Sequence, residues 1–127
     1  MNNQWYNKLN KSKLTPPDYI FPIVWSILYI TICISFFMIV YLSGFSHQKA
    51  IIFFTIQMIL NLVWAPIFFK LQNIRLSLIV ILCMWMFILL TILEFFKINK
   101  FAGTILIPYL LWVSLATYLN SYIYLNN

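Results

Sequence analysis

The chain has 127 residues, of which 64% are hydrophobic and 8% charged, and its mean hydropathy is +0.93. That balance excludes a soluble globular domain, because too little polar material remains to cover the apolar surface. The net charge of +6 comes from Lys and Arg in short breaks between apolar runs, where they meet lipid headgroups. They form no basic stripe of the kind that binds nucleic acid.

Residues 1–17 are polar apart from Trp5 and Tyr6, and carry Lys8, Lys11 and Lys13. No cleavable leader is visible in them. Two readings stay open for this segment: an interfacial anchor, or a lid folded over the mouth of a helix bundle. In Thr15-Pro16-Pro17-Asp18, Thr15 reads as a helix cap, Pro16 as the first helical position and Asp18 as the residue reaching back to the cap.

Four apolar runs follow, at about 19–42, 51–69, 76–96 and 101–125, each close to the ~20 residues that cross ~30 Å of hydrocarbon as a helix. The expected fold is therefore an all-α integral membrane bundle of four helices in a single domain, 1–127. Short breaks predict that consecutive spans are antiparallel neighbours. Two glycines and no alternating pattern argue against a membrane β-barrel. Pro22 and Pro66 are expected to kink their helices. Pro108 either does the same or marks the first turn of the last helix. Basic residues on alternate sides, five against three, favour both termini in the cytoplasm.

Along the first span, Trp25 and Tyr29 put two rings on one face. Gln57, Asn61 and Trp64 share a face of the second, and amides in hydrocarbon must turn inward to find partners. Helix–helix glue explains Gln57 and Asn61 as well as a ligand contact does. In the third span Trp85 reads as packing or lipid contact, and Glu94 as an interfacial ion pair with Lys97. On the last, Tyr109, Trp112, Ala116 and Asn120 recur at helical spacing, a row suited to a pocket wall. Ser114, Thr117 and Ser121 form a small face for close packing. Cys33 and Cys83 lie in separate runs and read as buried hydrophobes.

The inventory excludes conventional enzymes. His47 is the single histidine, and Asp18 and Glu94 are the only acids, each near a span end. No acid–base pair, nucleophilic triad or metal cluster can be assembled from them, and no cofactor is required. A proton-coupled exporter, the main alternative class, would want an ionisable group deep in the bundle.

Four blocks together resemble the TspO/MBR family, the tryptophan-rich sensory proteins and translocator (peripheral benzodiazepine receptor) proteins. They are Trp5-Tyr6 with Thr15-Pro16-Pro17; Phe21-Pro22-Ile23-Val24-Trp25; Gln57, Asn61 and Trp64 followed by Phe68-Phe69; and Pro108-Tyr109, Trp112 and Ala116 to Asn120. The resemblance implies a five-helix bundle whose first helix precedes the Trp-Tyr motif. Here that motif lies at residues 5–6, so either the start lies upstream or this is a four-span member. It implies a lid carrying Trp5, Tyr6 and Pro16, over a cavity lined by Trp25, Asn61, Trp112 and Ala116 with Gln57 and Tyr109 as neighbours. The implied ligands are porphyrins or haem precursors, and the implied role is sensor, carrier or regulator of porphyrin traffic. A homodimer is the family's tendency, and a multi-pass protein of a bacterial cell membrane is the expected setting. A degenerate relative without a competent pocket is the remaining alternative. Ser12 and Leu14 stand where the family usually has Pro and Trp, which removes one stacking surface from the lid. No basic residue follows Tyr118, Tyr122 or Tyr124 as the family's sterol-recognition pattern requires.

Overall fold

Four helical segments are long and apolar enough to cross a membrane in the structure, a computed structural model that describes Leu9, Lys13 and residues 15–17, 19–44 and 46–126. Helix α1 is Ile20–Ser43 and α2 is Gln48–Ala65, prolonged by a π-turn at Pro66–Lys70. Helix α3 is Ile74–Ile98, α4 is the short Lys100–Thr104 and α5 is Ile107–Asn126. There is no strand among the described residues, and the chain is a multi-pass membrane protein.

The radial pattern is that of a bundle immersed in lipid. On α1, Leu28, Ile32, Ser35 and Ile39 are buried, while Ile23, Ile27, Ile30, Ile34, Phe37 and Tyr41 form the opposite, exposed stripe. Both stripes follow the 3.6-residue period. The outer stripe is the more apolar one. In water that arrangement would expose a large hydrophobic patch; in a bilayer it is the surface that acyl chains wet. Cys33 and Cys83 also lie on this outer surface as free thiols, which corrects their reading as buried residues.

Helix α3 is the spine. Ile81, Met84, Ile88, Ile92 and Phe95 are buried along one side of it, and it packs against α2, α4 and α5. Helix α1 rests on α4 and α3 instead of lying close along α2, so the expectation that consecutive spans are neighbours fails there. Large side chains hold α1 and α2 apart: Phe36 stacks on Phe54 with centroids 4.4 Å apart, and Tyr29 reaches across to Asn61. On the other side, the buried Ser35 hydroxyl donates to the Ala102 carbonyl at 2.8 Å. Gly103 lies so close to Phe96 that an added Cβ would stand 2.9 Å from the ring.

Several local expectations are corrected. Helix α1 begins at Ile20, with Tyr19 at the cap position and no side-chain capping bond, so Thr15 caps nothing. Its Oγ1 is buried and unpartnered. The reason lies in the Pro16-Pro17 pair: a residue before proline is disfavoured in the α region, so Pro16 cannot open a helix. The chain turns first, with the Ile20 amide donating to the Pro17 carbonyl at 3.0 Å. Asp18 falls outside the described residues. Pro22 kinks nothing, because it sits in the first turn of α1 where its missing N–H would have been orphaned anyway. Pro66 acts differently: it deprives Leu62 of a donor, and the helix widens, with the Leu71 amide donating to the Pro66 carbonyl at 3.1 Å.

The links are short and capped. Gly44, at φ 61°, ends α1 in the left-handed region that favours glycine. Gln72, at φ 53°, turns the chain between the π-turn and α3, and Asn73 then caps α3 by accepting from the Leu76 amide at 2.9 Å. The span expected at 101–125 is one apolar segment, Lys100–Asn126, whose helix is interrupted at 105–106. Asn99 caps α4 by accepting from the Ala102 amide at 3.1 Å, α4 ends after one turn, and Pro108 lies in the first turn of α5.

Candidate functional site

Between α1, α2, α3 and α5 lies a cavity of about 180 Å³. Its wall is built in layers that follow from helical spacing. Helix α1 contributes Phe21, Trp25 and Tyr29, each one turn from the next. Helix α2 and its π-turn contribute Asn61, Trp64, Ala65, Phe68 and Phe69, and α5 contributes Trp112, Ala116, Leu119, Asn120 and Ile123. Ile81 and Met84 of α3 close the back. Among the described residues, none of the lining side chains carries a formal charge.

The rings pack on one another edge to face and face to face. Phe21 meets Trp112 edge-on at 5.7 Å, and Trp25 lies 5.7 Å from Tyr29 and edge-on to Tyr109 at 6.4 Å. Trp64 stacks on Phe68 at 5.2 Å with Phe69 edge-on to both. The π-turn makes the last arrangement: a wider helix lets Phe68 and Phe69, consecutive in sequence, both reach the cavity.

Two polar networks tie these walls together. In the first, Tyr29 donates to the Asn61 carboxamide oxygen at 2.5 Å, the Asn61 amide donates to the Tyr109 hydroxyl at 2.6 Å, and Tyr109 donates to the Gln57 oxygen at 2.8 Å. Three helices are joined by one directional chain. In the second, the Asn120 oxygen accepts from the Trp64 indole at 3.0 Å and from the Ser77 hydroxyl at 3.2 Å. Buried amides in hydrocarbon must be paired in this way. The Trp112 indole N–H is the exception: it is buried and has no acceptor.

Of the residues singled out in the sequence, Trp25, Asn61, Trp112 and Ala116 line the cavity. Gln57 and Tyr109 do not; they are buried behind Asn61, with both side chains 1% exposed, and hold it in place. Pro16 is half-buried and outside the lining, and Trp5 and Tyr6 fall outside the described residues. Tyr29, Trp64 and Asn120 belong to the site as well, and each was flagged by helical spacing to a neighbour already chosen. Phe21 and the Phe68-Phe69 pair had only the family blocks to signal them.

Away from the cavity, Trp85 donates to the Ser114 hydroxyl at 2.7 Å, a polar tie beyond the packing or lipid contact expected of it. Ser114 is thus an acceptor for α3 as well as a small packing residue. Glu94 pairs with Lys97 at 2.8 Å near the end of α3, far along the helix from the cavity residues Ile81 and Met84. Among the described residues no group of three or more His, Cys, Asp or Glu side chains gathers to hold a metal ion.

A cavity between membrane helices whose described lining is aromatic and amide-bearing defines a class: multi-pass bundles with an interhelical cavity. The chain belongs to the TspO/MBR family, whose model matches residues 1–125. It is 34% identical over 118 residues to a tryptophan-rich sensory protein of Cereibacter sphaeroides, covering 93% of this chain and 73% of that one. It is 39% identical to the tryptophan-rich protein TspO of Chlorobaculum tepidum, covering 91% and 75%, and 29% identical to the human translocator protein, covering 98% and 75%.

Proposed function

We propose that this protein binds a tetrapyrrole, a porphyrin or haem precursor, in the cavity between α1, α2 and α5, and acts as a sensor, carrier or regulator of porphyrin traffic. One observation carries the reading: Trp25, Trp64 and Trp112 all line one space between the helices. Flat apolar macrocycles stack on indoles. Relatives called tryptophan-rich sensory protein and translocator protein agree with binding rather than turnover. The bilayer of a bacterial cell is the setting that the bacterial relatives favour.

Size sets a condition on this reading. A cavity of about 180 Å³ is little larger than the ~150 Å³ that admits benzene in a protein interior, so the closed form takes one edge of a macrocycle. The rest requires α1 to move outward. That helix rests on α3 and α4 and does not lie close along α2. The family reading makes the segment of Trp5, Tyr6 and Pro16 a lid.

The test is titration of the purified protein with protoporphyrin IX, followed by tryptophan quenching. Trp25→Ala and Trp112→Ala should each weaken saturation by about tenfold or more, the worth of one stacking partner of ~1–3 kcal/mol. Affinity unchanged in both variants would exclude this cavity as the site.

A further inference from the structure

Asn120, like Asn61, joins three helices through its carboxamide, and it is the lining amide that holds an indole. From α5, its oxygen accepts from Trp64 of α2 and from Ser77 of α3, and its amide reaches the Ile74 carbonyl at 3.5 Å. The residue is 2% exposed, so these bonds lie out of reach of water. An indole N–H in such surroundings must keep its acceptor, and any rotamer that swings Trp64 away from Asn120 orphans it. The same indole stacks on Phe68 at 23° between planes, with Phe69 edge-on. Ring stacking alone leaves the indole free to slide and turn within its plane, whereas a directional bond at the ring edge fixes that freedom.

We infer that Asn120 is a positioning residue: its oxygen sets the tilt and register of Trp64, and through it the stacking surface offered to a flat guest. The inference deepens the tetrapyrrole reading and rests on it for the ligand, though the placement of Trp64 can be measured without one. Ser77 supplies a control: its single proton is shared between the Ile74 carbonyl at 2.7 Å and this oxygen at 3.2 Å, and it reaches α5 without touching the indole.

The experiment compares Asn120→Leu, Ser77→Ala, Trp64→Phe and the double variant Asn120→Leu/Trp64→Phe in lipid nanodiscs. Near-UV circular dichroism of the free protein and affinity for protoporphyrin IX are the two measurements. Asn120→Leu should diminish the tryptophan dichroic bands and weaken affinity about three- to tenfold, the scale of one interhelical hydrogen bond in a membrane. Ser77→Ala should leave both near the wild-type values. In the Trp64→Phe background, Asn120→Leu should cost nothing further. An equal loss in both backgrounds, or a Ser77→Ala effect as large as that of Asn120→Leu, would overturn the inference and leave Asn120 as a helix tie. If Asn120→Leu does not fold, Asn120→Ala carries the same comparison. Absence of saturable quenching in the wild type would count against the tetrapyrrole reading alone; the dichroic bands would still decide, with bands unchanged in the Asn120 variant overturning the assignment.

Discussion

Replacing Tyr109 by Phe isolates the polar chain behind the cavity. The hydroxyl of Tyr109 accepts from Asn61 at 2.6 Å and donates to Gln57 at 2.8 Å, while its ring meets Trp25 edge-on. Phe keeps the ring and removes both bonds. Interhelical hydrogen bonds in membranes average ~0.6 kcal/mol, so the direct loss is about 1.2 kcal/mol. Orphaning matters as well: Gln57 is 1% exposed, and a buried acceptor without a donor costs about 1–3 kcal/mol. The expected destabilisation is therefore about 1–3 kcal/mol, measured by reversible unfolding in mixed bicelles as SDS is raised. The orphan argument makes a sharper demand. Adding Gln57→Leu to Tyr109→Phe removes the stranded acceptor, and the double variant should be more stable than the single one. Tyr109→Phe unfolding at the wild-type midpoint, or a double variant weaker than the sum of its parts, would refute this account of the network.

Ser35→Ala breaks the bond to the Ala102 carbonyl and should lower stability by about 0.6–1.7 kcal/mol, read in the same unfolding assay. Gly103→Ala forces a Cβ against the Phe96 ring and should destabilise by about 1 kcal/mol or more, with Phe96→Ala in the same chain removing most of that cost. Trp85→Phe deletes the bond to Ser114 and should cost about 0.6 kcal/mol without altering protoporphyrin IX affinity. Glu94→Gln should change stability by under ~1 kcal/mol, because Lys97 is 71% exposed and screened by solvent. Proton-coupled transport in proteoliposomes that disappears with Glu94→Gln would instead favour an exporter.

The spans were legible because apolar length alone announces a membrane helix, and the inward faces because amides and indoles recur at helical spacing along them. Gln57, Asn61, Trp112 and Ala116 needed nothing more. What the sequence concealed depends on the third dimension. Whether Tyr109 touches the cavity or backs Asn61 is decided by the position of α2 relative to α5, which periodicity on one helix cannot report. Trp85 looked solitary because its partner, Ser114, lies 29 residues away on another helix. The break before α5 was hidden because Ile105 and Leu106 are as apolar as a membrane helix itself. The start of α1 was misplaced for a local reason that was readable, the extended preference of Pro16 before Pro17.

The neutrality of the described cavity wall bears on how a guest would sit. Among the described residues no cation faces the space, so any carboxylates of a guest belong at the mouth, among water and headgroups, while its apolar edge enters between the rings.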